Sequence, residues 1–298
     1  VDFEGSANSS FYNGFGNPDT QQFGSNLSAQ YAPGNANGYP DKAATDGVIG
    51  KVTYSWNKNE DTMYYLTWSE GFRPGLLNRP VGRTSPDGSY TVPPSVDSDE
   101  ITNYEFGWKT VSQDGALRFN GSVFMVDVSG LQSTIFDPSI VNLFFSDNAA
   151  DAEIRGMEGD LIYFTDNGLI VSGAFSLLDT EITKSLVPTT DVVVGSDLAF
   201  APGFQANFSL RKEWGTSSGN TGHWQAQFNH SRKSDSDIME PNRATQASYA
   251  LANIRAGVSN DSWTAEMYID NITDERAEIS NTFVFDRQRV AVIRPLNL

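Results

Sequence analysis

The apolar residues of this chain recur at a period of two, and nothing else in the sequence constrains the fold as strongly. "NYEFGWK" sets Tyr104, Phe106 and Trp108 against Asn103, Glu105, Gly107 and Lys109. "GFQANFSLRKEW" sets Phe204, Ala206, Phe208 and Leu210 against Gln205, Asn207, Ser209 and Arg211. "SWTAEMYID" sets Trp263, Ala265, Met267 and Ile269 against Thr264, Glu266, Tyr268 and Asp270. Successive side chains of a β-strand point to opposite faces, so each stretch makes a strand with one apolar and one polar face. Helical spacing is weak everywhere.

This reading places strands at 46–56, 61–69, 98–110, 116–128, 151–164, 168–181, 203–213, 223–232, 248–259 and 262–271. Most have about ten residues, the length a tilted strand needs to cross a bilayer. The connections alternate in length. Short ones fall at 57–60, 112–115, 165–168, 215–222 and 260–262, and long ones at 70–97, 129–150, 182–202, 233–247 and 272–286. Residues 1–45, rich in Gly, Asn, Ser, Pro and Tyr, read as a further long loop. Short turns on one side and long loops on the other are the layout of an outer-membrane barrel. A soluble sandwich has no reason to sort its loops this way. Trp68 and Tyr104 lie toward the long-loop ends, and Trp108, Trp214, Trp224 and Trp263 toward the short turns, as aromatic girdles at two membrane interfaces require. The expected fold class is therefore all-β, an antiparallel transmembrane β-barrel, with five strand residues, Leu66, Phe106, Phe119, Phe208 and Met267, turned to lipid.

Composition removes several functions. Asp and Glu number 37 against 20 Lys and Arg, which argues against nucleic acid as a partner because phosphate backbones need basic grooves. Cysteine is absent, which excludes disulfides, thiolate metal sites and thiol catalysis. His223 and His230 lie seven apart on one strand, hence on opposite faces, and cannot share a metal locally. "GTSSG", Gly215 to Gly219, matches a serine-hydrolase pattern that needs a following helix, yet the next segment, "HWQAQFNHS", reads as a strand. The expectation is no enzyme, no cofactor and no metal.

"YYLTWSEGFRPG", "NYEFGWKTVSQDGALRFNGSVFMVDVSGLQ", "NAADAEIRGMEGDLIYFTDNGLIVSGAFSLLDTEI", "APGFQANFSLRKEW" and "YIDNITDER", in this order over about residues 46 to 276, resemble the C-terminal half of the β-barrel of TonB-dependent outer-membrane receptors. The resemblance implies a receptor in the Gram-negative outer membrane for energised uptake of a scarce nutrient such as a ferric siderophore, cobalamin or an oligosaccharide. It implies a small-molecule ligand in the outer loops, contact with outer-membrane lipid and lipopolysaccharide, and coupling to TonB-ExbB-ExbD through an N-terminal region. Two features depart from the family pattern: no plug domain or TonB box is present, and "VIRPLNL" looks like the beginning of a last strand. Residues 1–298 are thus expected to be the C-terminal part of the barrel, with 1–45 an extracellular loop and 46–298 strands and loops. About eleven strands result, an odd number that cannot close a bacterial barrel. A passive porin and a soluble glycan-binding β-sandwich stand as alternatives.

Candidate ligand residues lie in two long loops. The first carries Arg73, Arg79 and Arg83 with Asn78 and Tyr90, and arginines beside aromatics suit an anionic chelate. The second, "STIFDPSIVNLFFSD", is expected to expose Phe136, Leu143, Phe144 and Phe145. On the polar face of the strands, Glu105, Lys109, Arg118, Glu158, Asp160, Arg211, Arg255 and Glu266 are expected to line a lumen.

Overall fold

The structure, a computed structural model, describes residues 2–6, 42–78, 82–135, 137, 139–141, 144–188, 192–235, 245–284 and 287–297. Ten strands form one antiparallel sheet: β1 (Lys51–Asn59), β2 (Thr62–Arg73), β3 (Asp99–Val111), β4 (Leu117–Ile135), β5 (Phe145–Phe164), β6 (Leu169–Ser185), β7 (Phe204–Gly215), β8 (Thr221–Ser231), β9 (Tyr249–Ser259) and β10 (Thr264–Ile269). Their order in the sheet is their order in the chain, so every neighbour is reached by a hairpin. Among the described residues β1 pairs only with β2, and the sheet does not close on itself.

The expected strands are all present, and the register separates their faces. Tyr54, Leu66, Phe106, Val123, Met157, Leu177 and Phe204 stand directly opposite one another across β1 to β7. The next row out of phase is Ser55, Tyr65, Gly107, Ser122, Glu158, Ser176 and Gln205. The apolar row is also the exposed one: Tyr54 is 66% and Leu66 55% accessible. A sheet that turns its large apolar side chains outward and its polar ones to the other face fits lipid, not water.

The hairpin turns reuse one device. Ser112, Thr165 and Thr216 each accept through the side-chain oxygen a backbone N–H four or five residues on, from Leu117, Leu169 and Asn220 (2.8–3.1 Å). Each turn ends on a glycine in the left-handed region, Gly115, Gly168 and Gly219, with φ between 71 and 79°. An L side chain there would be strained. "GTSSG" is thus the third of these turns, joining two strands, as the hydrolase pattern cannot.

Glycines in the sheet repeatedly sit directly opposite a ring, among them Gly107 against Tyr65, Gly121 against Trp108, Gly156 against Phe124, Gly159 against Phe175, and Gly222 against Trp214. A Cβ on Gly107 would lie 2.1 Å from the Tyr65 ring and one on Gly121 2.4 Å from the Trp108 ring. The rings cover the backbone that the missing side chains leave bare.

Three strands outgrow any bilayer. β4 has 19 residues, β5 20 and β6 17, whereas about 9–11 suffice to cross. The sequence reading stopped them at 128, 151 and 181. The surplus rises on the long-loop side. It begins at an irregularity in the β4–β5 register between Val128 and Leu131, where Gly130 has a φ of 64°. A bulge of this kind re-aims the residues beyond it. Above it lies the core: Ile135, Phe145, Ala149, Ala150 and Ile182 of the tall strands with Val92, Ile140, Val141, Val187 and Val192 of the loops.

The ends differ from expectation. Within 1–45, Asp2–Ser6 pairs with Lys42–Asp46. The stretch read as the loop 272–286 contains Glu278–Val284, which pairs with Arg287–Val292 as a hairpin. Where an eleventh strand was expected, one bridge forms: Asp270 and Asn297 exchange backbone hydrogen bonds of 2.9 and 3.1 Å.

Candidate ligand-binding cap

The loop that follows β2 leaves the sheet and is tied down along its length. At its start, Asp99, fully buried, accepts from the Arg73 N–H (3.1 Å), from Arg73 Nε (2.7 Å) and Nη2, and from the Gln132 N–H (3.2 Å). Gln132 Nε2 donates to the carbonyls of Pro74 (3.0 Å) and Asp97 (2.8 Å). One residue of β4 thus holds both ends of the loop. Asn78 acts similarly toward β5: its Nδ2 donates to the Pro93 and Ser146 carbonyls, and its Oδ1 accepts from the Ser146 N–H (2.7 Å). Asn148 bridges Asp97 and Gly130.

The middle of the loop is a hairpin. Val92 donates to the Arg83 carbonyl (2.8 Å), the Thr84 and Thr91 hydroxyls bond at 2.9 Å, and Ser85-Pro86-Asp87-Gly88 makes the turn. This turn repeats the sheet's own device, with Ser85 Oγ accepting from the Tyr90 N–H (3.0 Å) and Gly88 at φ 75°. Hydrogen bonds from Ser85 and Ser89 hold the Asp87 carboxyl down to about 2. Val92 and the Tyr90 ring dock the hairpin onto the core, the Tyr90 ring centroid 6.0 Å from that of Phe145. The Tyr90 hydroxyl donates to Asp147. Burial, then that bond, then the carboxylate's charge push the Tyr90 hydroxyl well above the usual tyrosine range.

The residues singled out in the sequence therefore divide. Arg73, Asn78 and Tyr90 are engaged in holding the cap. Arg83 lies on the hairpin, and Phe144, next in sequence to the buried Phe145, is exposed. Phe145 corrects one expectation: at 2% accessibility it is a core residue of the cap and not an exposed loop residue, because the chain rejoins a strand there. Arg79, Phe136 and Leu143 lie outside the described residues. Sequence reasoning missed Asp99, Gln132, Asp147 and Asn148. The only signal was a cluster of polar residues at and just past the predicted strand ends.

On the polar face, register places Glu105, Lys109, Arg118, Glu158, Asp160, Arg211, Arg255 and Glu266 together. Some are paired. Tyr65 donates to Glu105 (2.5 Å), Asn120 to Asp160 (3.2 Å), and Arg211 lies 2.7 Å from Glu213. Glu266 joins His223 (2.9 Å) and Arg255 (3.7 Å), while His230, on the other face, donates to the Tyr249 carbonyl (2.8 Å).

An open meander with an outward apolar face, short turns on one side and a folded cap on the other is a section of an outer-membrane barrel wall. The family model described as "TonB dependent receptor-like, beta-barrel" matches residues 5–272, and the chain belongs to that family. Among curated proteins none matches. Among solved structures, the chain is similar to the ferric yersiniabactin uptake receptor FyuA from Yersinia pestis, with 17% identity and a TM-score of 0.68 over 86% of this chain and 37% of that one. It is similar also to the siderophore receptor PiuA from Acinetobacter baumannii, with 17% identity and a TM-score of 0.65 over 86% and 35%. The copper transporter OprC gives 15% identity and a TM-score of 0.61 over 80% and 35%. The chain spans a little over a third of the length of these structures.

Proposed function

We propose that this chain is the C-terminal part of the barrel, wall and ligand-facing cap together, of a receptor for energised uptake of a scarce nutrient across the outer membrane, with a ferric siderophore as the ligand class. The carrying observation is the cap. A simple pore needs only loops that keep out of the way; here three strands rise above the wall and bury a core that holds a hairpin and loop surface in place. A prefolded surface loses less freedom on meeting a ligand. The polar face, with Glu105, Lys109, Arg118, Glu158, Asp160, Arg211 and Glu266, lines the lumen in this reading, and coupling runs through TonB-ExbB-ExbD acting on the whole protein. Lipid and lipopolysaccharide surround the apolar face. The family is one of transport receptors, and catalysis has no part in the proposal.

The test is uptake. Cells starved of iron and carrying the intact gene should accumulate radioactive iron from at least one ferric siderophore in a panel, and deletion should abolish that accumulation. Uptake unaffected by loss of TonB, or equal diffusion of unrelated solutes, would favour the passive-pore alternative.

A further inference from the structure

High on the wall, the outward face of β2 and β3 changes character within one step. Register stacks four outward rungs on this strand pair: Leu66 opposite Phe106, Trp68 opposite Tyr104, Glu70 opposite Thr102, and Phe72 opposite Glu100. Such rungs are two residues, about 7 Å, apart along a strand. The two lower rungs, with Tyr54 and Val123 at their sides, line an open groove of about 600 Å³ whose side chains are mainly apolar. The two upper rungs, with Asp46 and the chain running on to Ile49, line a second cavity of about 220 Å³ that holds three carboxylates, Asp46, Glu70 and Glu100. Both are open to the surroundings: Tyr54, Leu66 and Tyr104 are exposed in the first, and all three acids in the second.

The carboxylates are held in place but not neutralised. Glu70 Oε2 accepts the Gly50 N–H (3.0 Å). A Cβ on Gly50 would lie 2.9 Å from the Trp68 ring and 3.4 Å from Glu70 Oε2, so ring and carboxylate pack against the same stretch of backbone. Among the described residues no Lys or Arg pairs with Asp46, Glu70 or Glu100, and Arg73, the nearest base along β2, is taken by Asp99. An apolar groove that ends in unbalanced negative charge is complementary to an amphiphile with a positive head. The groove has the volume of a small-molecule site, for which about 300–1,000 Å³ is usual. It lies on the face that meets lipid, and Trp68 and Tyr104 stand where rings gather at a membrane interface. An anionic head would meet charge of its own sign. A second copy of this chain, with 37 acidic and 20 basic residues, is poorly suited to supply the missing positive charge.

We propose that the outward groove on β2 and β3 holds one membrane lipid with an ammonium headgroup, its acyl chain along Leu66, Trp68, Tyr104 and Phe106 and its nitrogen between Glu70 and Glu100. The proposal needs the wall to stand in a membrane and is independent of the nutrient taken up. The experiment offers the intact receptor, in mild detergent, equal amounts of phosphatidylethanolamine and phosphatidylglycerol with the same acyl chains. Native mass spectrometry reads which lipid stays bound. One hydrogen bond to a charged group corresponds to about tenfold in affinity. Wild type should therefore retain one phosphatidylethanolamine with about that preference. Glu70→Gln combined with Glu100→Gln should bring the preference close to one. Val123→Trp, which fills the groove beside Phe106, should lower phosphatidylethanolamine retention with both acids intact. Heat-modifiable gel mobility equal to that of wild type shows that the variants fold. Equal retention of the two lipids by wild type, a preference that survives the double change, or a dimer in place of bound lipid overturns the site. None of these outcomes bears on the uptake test.

Discussion

The wall and the cap share three strands, β4, β5 and β6, yet they treat apolar side chains in opposite ways. In the lower parts of β4, β5 and β6 an apolar residue faces outward, as Val123 and Leu177 do at 40% and 44% accessibility. A few residues higher, Ile135, Ala149, Ala150 and Ile182 are fully buried. The described part of the wall has no core of its own; in the proposed membrane setting lipid covers its apolar face, and the polar face turns the other way. The cap stands in water and must gather its apolar residues inward. The same strand thus changes solvent along its length, and the bulge at Gly130 marks the change.

The comparison breaks most sharply if a cap residue is cut. Ile182→Ala should cost the cap about 2–5 kcal/mol, the range for truncating a fully buried aliphatic side chain. Because the loss is confined to the cap, limited proteolysis should open the loop 74–98 while the heat-modifiable gel mobility of the folded barrel stays. If barrel mobility is lost as well, cap and wall are one cooperative unit. In the wall, Phe208→Arg should cost about 2–4 kcal/mol by placing a charge in the apolar face, and Asn207→Arg, one residue away on the polar face, far less. Barrel assembly in the outer membrane reads the difference, and greater damage at Asn207 would mean the faces have been assigned the wrong way round.

The smallest effect should appear only in alkali. The Tyr90 hydroxyl is raised in the folded cap by burial and by Asp147, so its contribution is complete below the ordinary tyrosine value of about 10 and is lost as pH rises toward the folded value. Protection of the hairpin 82–92 against amide exchange, relative to the intrinsic rate at each pH, should fall above about pH 10 in wild type. Tyr90→Phe should remove that fall in protection, and if it persists there, another group carries it.

The wall was legible in the sequence because alternation reports directly which face a side chain takes, and a hairpin meander needs no further information. The faces of Leu66, Phe106, Phe119, Phe208 and Met267 follow from parity alone. The cap was not legible for the same reason. Past Val128 the bulge breaks parity, so "LQSTI" and "FSDNAA" no longer read as strand although both continue the ladder. Apolar residues in "FDPSIVNLFFSD" then look like a loop surface, while Ile140, Val141 and Phe145 are core. The bonds of Asp99, Gln132 and Asn148 join segments about 18 to 58 residues apart and leave no local pattern. In the candidate site, sequence drew attention to Arg73 and Arg83 equally; only the position of Asp99 distinguishes them.

The glycine–ring pairs bear on how such a wall is assembled. Slipping β2 by one residue against β3 would set the Tyr65 ring over Phe106 or Trp108 in place of Gly107, and a slip of β4 against β3 would do the same to Trp108. A one-residue slip also turns every side chain to the wrong face, but that error is felt only once both faces meet their solvents. The ring collision is felt at once, between two strands, before the rest of the sheet exists. Strands laid down in succession therefore carry their own alignment marks, one hairpin at a time.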